Sequence, residues 1–155
     1  MDNDNAGAIA RLIDKDQITD LVHEYSYYVD HGLYDDVVEL FTEDCMVDYG
    51  IAPPVHSRAS LRRMFRHPGG GFTATSHHNA NVLVRFDDAD RASVRTSVYA
   101  WHKRSDGGTP RVWGYYHDTV VRQPEGWRIA NRTLRVLGVD DWDAEWHPAV
   151  DVEGE

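Results

Sequence analysis

Thr75-Ser76-His77-His78-Asn79-Ala80-Asn81-Val82-Leu83-Val84 sets two adjacent histidines at the head of an apolar, β-branched run. Such a run reads as a strand. Alternate side chains of a strand share a face, so His77, Asn79 and Asn81 are expected on one side and His78, Ala80 and Val82 on the other. Three further runs of the same character follow, at about residues 92–103, 111–122 and 127–139. Between them lie Asp87-Asp88-Ala89-Asp90, Ser105-Asp106-Gly107-Gly108 and Gln123-Pro124-Glu125-Gly126, each a polar break of hairpin length. The second half of the chain is therefore predicted to be an antiparallel meander.

Upstream the period changes from two to 3.6. Ile18, Leu21, Val22, Tyr25, Tyr28 and Val29 recur at helical spacing, with Asp14 or Asp16 placed to cap the helix and Gly32 to end it. A second helix is expected over residues 34–41, with Val37, Val38, Leu40 and Phe41 as its apolar side. Thr42-Glu43-Asp44 then reads as a turn into a short strand, residues 45–49, and the two prolines of residues 50–56 as a loop. A third helix spans residues 59–66, with Leu61, Met64 and Phe65 facing inward, and Pro68-Gly69-Gly70-Gly71 stops it. Helices, a short strand, a helix and a meander make an α+β plan, three N-terminal helices packed on one face of a curved, mostly antiparallel sheet.

At 155 residues, with 41% hydrophobic and 11% aromatic side chains, one globular domain is expected, over residues 1–139. Residues 140–155 hold seven acids and no Lys or Arg, and read as an acidic C-terminal tail on which Trp142 and Trp146 could pack back. The net charge is −10, and the body without the tail carries roughly −3. That balance argues against a nucleic-acid partner. No apolar run approaches a membrane span, and one cysteine, Cys45, without a leader-like N-terminus, leads to the expectation of a cytoplasmic protein. Cys45 itself reads as a small core residue.

The order αα-β-α-ββββ resembles the SnoaL-like branch of the nuclear-transport-factor-two-like superfamily. So do three phrases: residues 30–44 (Asp30-His31-Gly32-Leu33-Tyr34 through Phe41-Thr42-Glu43-Asp44), His77-His78-Asn79-Ala80-Asn81-Val82, and Gly126-Trp127-Arg128-Ile129-Ala130-Asn131-Arg132. The resemblance covers roughly residues 10–138 and implies a cone-shaped α+β barrel. Within that branch the pattern is similar to scytalone dehydratase, the bile-acid dehydratases and the hexachlorocyclohexane dehydrochlorinases. It implies a catalytic histidine at the head of the first long meander strand, matched by His77, and an aspartate at the end of the first helix, matched by Asp30. Arg132 matches the dehydrochlorinases' arginine on the last strand. Tyr49, with Tyr28 or Val29, matches the tyrosines that hold a carbonyl through water in scytalone dehydratase. That enzyme's second histidine, on the next strand, falls near Thr96 in this reading and is missing.

Read from the residues alone, Asp30 sits where an acid meets the negative end of the helix dipole, so a compensating partner is expected. Arg132 lies among Ile129, Ala130 and Leu134 and needs a counter-charge or an anion, with Asp118 and Asp30 as candidates. In Trp113-Gly114-Tyr115-Tyr116-His117-Asp118 either Tyr115 and His117 or Tyr116 and Asp118 face the interior. The catalytic candidates are thus His77, Asp30, Tyr49 and Arg132, and the substrate-binding candidates Tyr28, Asn81, Tyr116 and His117. No pair of the nine histidines has zinc-site spacing, and His77, His117 and Asp30 form the one set that could converge on a metal. The expected activity is that of a cofactor-free lyase of dehydratase type, or an isomerase, on a hydrophobic cyclic or polyketide-like molecule. The alternatives are a non-catalytic binding or assembly subunit and an epoxide hydrolase or cyclase using Asp30. Apolar residues on both sides of the strands lead to the expectation of a homodimer or homotrimer.

Overall fold

The protein is described by a computed structural model, which covers residues 2–66 and 71–142, with side chains from residue 5. Trp146, proposed to pack back on the body, lies outside the described residues. The chain forms α1 (Asp2–Asp30), α2 (Tyr34–Glu39), β1 (Phe41–Asp48), β2 (Val55–His56), α3 (Arg58–Arg66), β3 (Phe72–Phe86), β4 (Arg91–Arg104), β5 (Arg111–Gln123) and β6 (Gly126–Asp140). One curved sheet has the order β2-β1-β6-β5-β4-β3. All its pairings are antiparallel except β1 with β6. The helices cover one face, and Ile18, Leu21, Val22 and Tyr25 of α1 meet Val94, Val98 and Ile129 of the sheet in a single core.

Four elements differ from the sequence reading. Helix α1 begins at Asp2, so neither Asp14 nor Asp16 caps it. Ala6, Ala8 and Ala10 are strong helix formers and carry the helix back without need of a cap at that point. Asp14 instead accepts bonds from Arg122 Nη2 (2.7 Å) and Trp127 Nε1 (3.2 Å). Helix α2 stops at Glu39, and the strand begins at Phe41, because Phe41 pairs with Ile129 and pairing resumes only at Met46. The intervening irregularity turns Glu43 and Asp44 outward while Thr42 and Cys45 stay buried. The expected loop contains β2, two residues paired with Met46 and Val47.

The fourth difference lies in β3. A bulge between Ala80 and Leu83 puts Asn81 at φ 52°, and the alternation reverses there. His77 and Asn79 face the helices, then Val82, Val84 and Phe86 do. A bulge adds one residue to one strand of a pair, which is why simple parity fails across it.

The end of α1 is fixed by its cap. Gly32 adopts φ 68°, its N–H bonds the Val29 carbonyl (3.1 Å), and the Leu33 N–H bonds the Tyr28 carbonyl (2.9 Å). This paired closure satisfies the last carbonyls and needs a residue free to take a left-handed conformation. It leaves Asp30 as the last helical residue, beside β3.

Candidate active site

Asp30 Oδ1 accepts hydrogen bonds from His77 Nδ1 (2.7 Å) and Thr75 Oγ1 (2.8 Å), and Oδ2 accepts the His77 backbone N–H (2.7 Å). These three donors answer the question posed by an acid at a helix C-terminus. Burial pushes the carboxyl pKa up, but the bonds from the His77 ring and backbone, the His77 charge and the Thr75 hydroxyl hold it below the usual carboxylate range. With Nδ1–H given to a carboxylate, the neutral imidazole keeps its lone pair on Nε2. The His77 side chain is 8% exposed and that of Asp30 is 19% exposed. Thr75 was not among the candidates, although it precedes His77 by two residues and so shares its face.

A second histidine stands beside the first. Thr75 pairs with His102 and His77 with Ala100, so His77 and His102 are diagonal neighbours on the inner face. Their ring centroids are 5.6 Å apart at 83°. His102 is buried, with Nδ1 against the Pro110 carbonyl at 3.3 Å and Phe72 and Trp142 packed on its ring. Burial first, and the His77 charge second, lower its pKa from 6.5 to about 4. The sequence reading sought this histidine near Thr96, six residues too early. The signal was present, since Val94, Val98, Ala100 and His102 have one parity.

The other candidates separate into two groups. Arg132 and Tyr116 are buried with Asp118, and half-buried Tyr49 packs on the same core, so the inward pair of β5 is Tyr116 and Asp118. Arg132 forms a two-pronged ion pair with Asp118, Nε to Oδ1 at 2.8 Å and Nη2 to Oδ2 at 2.7 Å, and both side chains are 0% exposed. Its guanidinium carbon lies 4.0 Å from the Tyr25 ring centroid and 4.3 Å from that of Tyr116. The Tyr49 hydroxyl meets that of Tyr25 at 2.8 Å. Burial drives the phenols of Tyr49 and Tyr116 well above their ordinary pKa, so both stay protonated. Arg132 Nη1 is buried without a partner.

Three candidates are placed elsewhere. His117 is exposed on the outer sheet face, in register with Arg95 and Thr133, because Tyr116 and Asp118 took the inner face. It therefore neither lines the dyad nor converges with His77 and Asp30 on a metal. Asn81 is exposed at the β3 bulge. Its neighbour Asn79 is the inward amide, donating to Val22 O (3.1 Å) and Ser26 Oγ (2.6 Å). Tyr28 is half-buried on the side of α1 that faces α2, where Glu24 first, then burial and Asp36, raise its pKa.

Open space beside the dyad lies at the seam of α1 and β3. It is a cleft of about 410 Å³ lined by His23, Ser26, Tyr27, Asp30 and His31 of α1 and by His77, His78 and Asn79 of β3. Its walls are imidazole rings and one phenol with a hydroxyl, an amide and the carboxylate, so the aromatic part of the expected lining is present and the aliphatic part is not.

Comparison with known proteins agrees with this fold: residues 10–133 match the SnoaL-like domain model, and the chain belongs to that family. An uncharacterised protein of Mycobacterium tuberculosis (strain ATCC 25618 / H37Rv) is 30% identical over 132 residues, 81% of this chain and 86% of the relative. Among solved structures, a protein of Novosphingobium aromaticivorans DSM 12444 provisionally assigned as a scytalone dehydratase superposes with a TM-score of 0.86. It is 28% identical and covers 93% of this chain and 97% of its own. A second protein of that genus and species, provisionally assigned as an aromatic ring hydroxylase, gives a TM-score of 0.80 at 29% identity, covering 84% of this chain and 94% of its own. A type 2 hexachlorocyclohexane dehydrochlorinase shares the fold, with a TM-score of 0.81 at 13% identity, covering 92% of this chain and 98% of its own. No helix of the described residues is long and apolar enough to cross a membrane.

Proposed function

We propose that the protein is a lyase of dehydratase type, or an isomerase, in which His77 removes a proton next to a carbonyl or a leaving group. The observation that carries this reading is the 2.7 Å bond from His77 Nδ1 to a carboxylate already held by two other donors. Asp30 fixes the tautomer and stabilises the imidazolium once Nε2 has taken the proton. It does not act alone as acid or base: its lowered pKa keeps it ionised at neutral pH and its oxygens are engaged. His102 is neutral at pH 7 and packs edge-on against the His77 ring, so it sets no second positive charge beside the base. The cleft's imidazole rings and phenol, with a hydroxyl, an amide and the carboxylate, suit a small oxygenated ring compound such as a cyclic hydroxyketone or enone, within the hydrophobic cyclic or polyketide-like class expected.

A binding module without chemistry is the rival reading. It is favoured by one observation, the filling of the interior around Arg132 by Tyr25, Tyr116 and Phe41. Incubation with cyclic β-hydroxyketones and β,γ-enones, followed by ultraviolet absorbance for new conjugation, separates the two. His77→Ala is expected to lower turnover by about 10²–10⁴-fold in a folded protein. Asp30→Asn should also lower it, through the wrong tautomer. Turnover unchanged in His77→Ala would refute the base assignment, and binding of these compounds without turnover would favour the module.

A further inference from the structure

A second polar rung joins α1 to β3 beside the Asp30–His77 pair. One turn earlier on the helix and two residues later on the strand, Asn79 Nδ2 donates to Ser26 Oγ at 2.6 Å and to the Val22 carbonyl at 3.1 Å. The two rungs line up because four helical residues advance about 6 Å and two strand residues about 6.6 Å. From His77 to Asn79 the register of β3 on β4 is regular, ahead of the bulge, so both side chains share the inner face. Ser26 and Asn79 line the same cleft as the dyad.

The Val22 carbonyl sets the polarity of this rung. A carbonyl oxygen only accepts, so the amide atom facing it is the nitrogen. Asn79 Oδ1 is left buried without a partner among the described residues, an uncommon cost that shows the amide placed for its nitrogen. Ser26 Oγ accepts from that nitrogen and keeps its own hydrogen. A serine within a helix often gives this hydrogen to the carbonyl four residues back. Here that carbonyl is Val22, which already accepts the Asn79 amide besides the helical N–H. No described group accepts from Ser26 Oγ. The outcome is a hydroxyl on a residue 8% exposed, with its oxygen anchored and its proton unspent at the cleft wall. The other hydroxyl of the lining belongs to Tyr27, which is 56% exposed and stacks on His31 with ring centroids 4.1 Å apart. A donor open to water stabilises a developing charge far less than one held in a dry wall.

We propose that Ser26 donates to the substrate's carbonyl oxygen as negative charge develops on it, and that Asn79 is the positioning residue that aims the hydroxyl. The tyrosines expected in this role are engaged elsewhere, Tyr49 with the Tyr25 hydroxyl and Tyr28 on the side of α1 that faces α2. The assignment rests on the reading of His77 as the base. In a cyclic β-hydroxyketone, His77 Nε2 takes the proton from the carbon beside the carbonyl. The C–H pair becomes the double bond of an enolate, and the carbonyl pair moves to the oxygen that Ser26 holds. That pair then returns, the bond to the β-hydroxyl breaks, and the hydroxyl leaves as water with the proton His77 gives back. Ser26 keeps its proton throughout. A base and a donor about one helical turn apart span the proton-bearing carbon and the carbonyl oxygen beside it.

Cyclohexanone, isotope-labelled at its carbonyl carbon and lacking a leaving group, probes the donor without turnover. Its carbonyl NMR resonance is expected to move downfield on binding to the full chain. Ser26→Ala should abolish that shift and Ser26→Thr, which restores a hydroxyl, should recover it, in proteins whose circular dichroism is unchanged. Asn79→Asp should also abolish it, because a carboxylate takes the Ser26 hydrogen; Asn79→Ala, which adds no charge, should weaken it. With a cyclic β-hydroxyketone, Ser26→Ala should lower kcat by about 10²–10³-fold and leave KM little changed, since the charge exists only beyond the ground state. No carbonyl shift in the wild type, or a shift that survives Ser26→Ala, would overturn the proposal, and a shift that survives Asn79→Asp would remove Asn79 from it. His77→Ala should keep the shift while losing turnover, so a failure of the base assignment and a failure of the donor assignment give different results.

Discussion

His102 makes stability depend on pH between about 6.5 and about 4. Its ring is buried against Phe72, Trp142 and His77, and its pKa falls from 6.5 in the unfolded chain to about 4 in the fold. As pH drops below about 6.5 the unfolded state takes up a proton that the folded state refuses. The stabilisation is therefore complete above that pH and is lost as pH falls toward 4. The full effect is about 3 kcal/mol, of which about 1.2 kcal/mol is lost between about pH 7 and pH 5.5. His102→Asn keeps a donor for the Pro110 carbonyl and removes the titration. Urea unfolding of both proteins at the two pH values isolates it, since every other histidine is common to both and Asp30, with its lowered pKa, is ionised throughout. Wild type should lose about 1.2 kcal/mol more than the variant. Equal losses would show that His102 protonates in the fold as readily as in solution, and the argument from its burial would fail.

Three structural perturbations test the rest of the frame. Asp118→Ala leaves the Arg132 cation buried and unpaired and should cost about 3–5 kcal/mol in urea unfolding, with much of it recovered when Arg132→Met is added. Gly114→Ala should destabilise by about 1–3 kcal/mol or more, since a Cβ there would lie 2.2 Å from the Arg135 carbonyl oxygen, a backbone atom held at a bulge. Asp14→Ala strips partners from Trp127 Nε1 and Arg122 and should lower the thermal midpoint by a few degrees, as expected for about 1–2 kcal/mol.

The meander was legible because each of its strands keeps period two between polar breaks, and the helix–strand order because Ile18 to Val29 keep period 3.6. That Asp30 needed donors was legible from an acid at a helix end, and the family resemblance named His77 as the donor. What escaped depends on backbone irregularity and register. The bulge at Asn81 carries no residue that demands it, so parity alone put Asn81 inside. β2 is two residues long and exists only through its bonds to β1. His102 escaped for a different reason: its parity was visible, but a pairing register was not, so the histidine diagonal to His77 was sought six residues away.

The separation of the two polar centres bears on how the chemistry is divided. The dehydrochlorinase resemblance implied that Arg132 would meet substrate. Here its guanidinium spends two nitrogens on Asp118 and lies between the Tyr25 and Tyr116 rings, at 0% exposure. A ligand that recruited it by displacing Asp118 would have to supply the about 3–5 kcal/mol that such a broken pair costs. Nη1 alone is unspent, and it too is buried. The groups that reach open space are different in kind: the His77–Asp30 pair, with His23, His31 and His78 around it. Imidazoles move protons near neutral pH and do not hold a permanent charge. Under the proposed function the arrangement favours a reaction in which a proton is taken and returned nearby over one in which a fixed cation must hold a departing anion, so loss of water or a double-bond shift is proposed ahead of halide elimination.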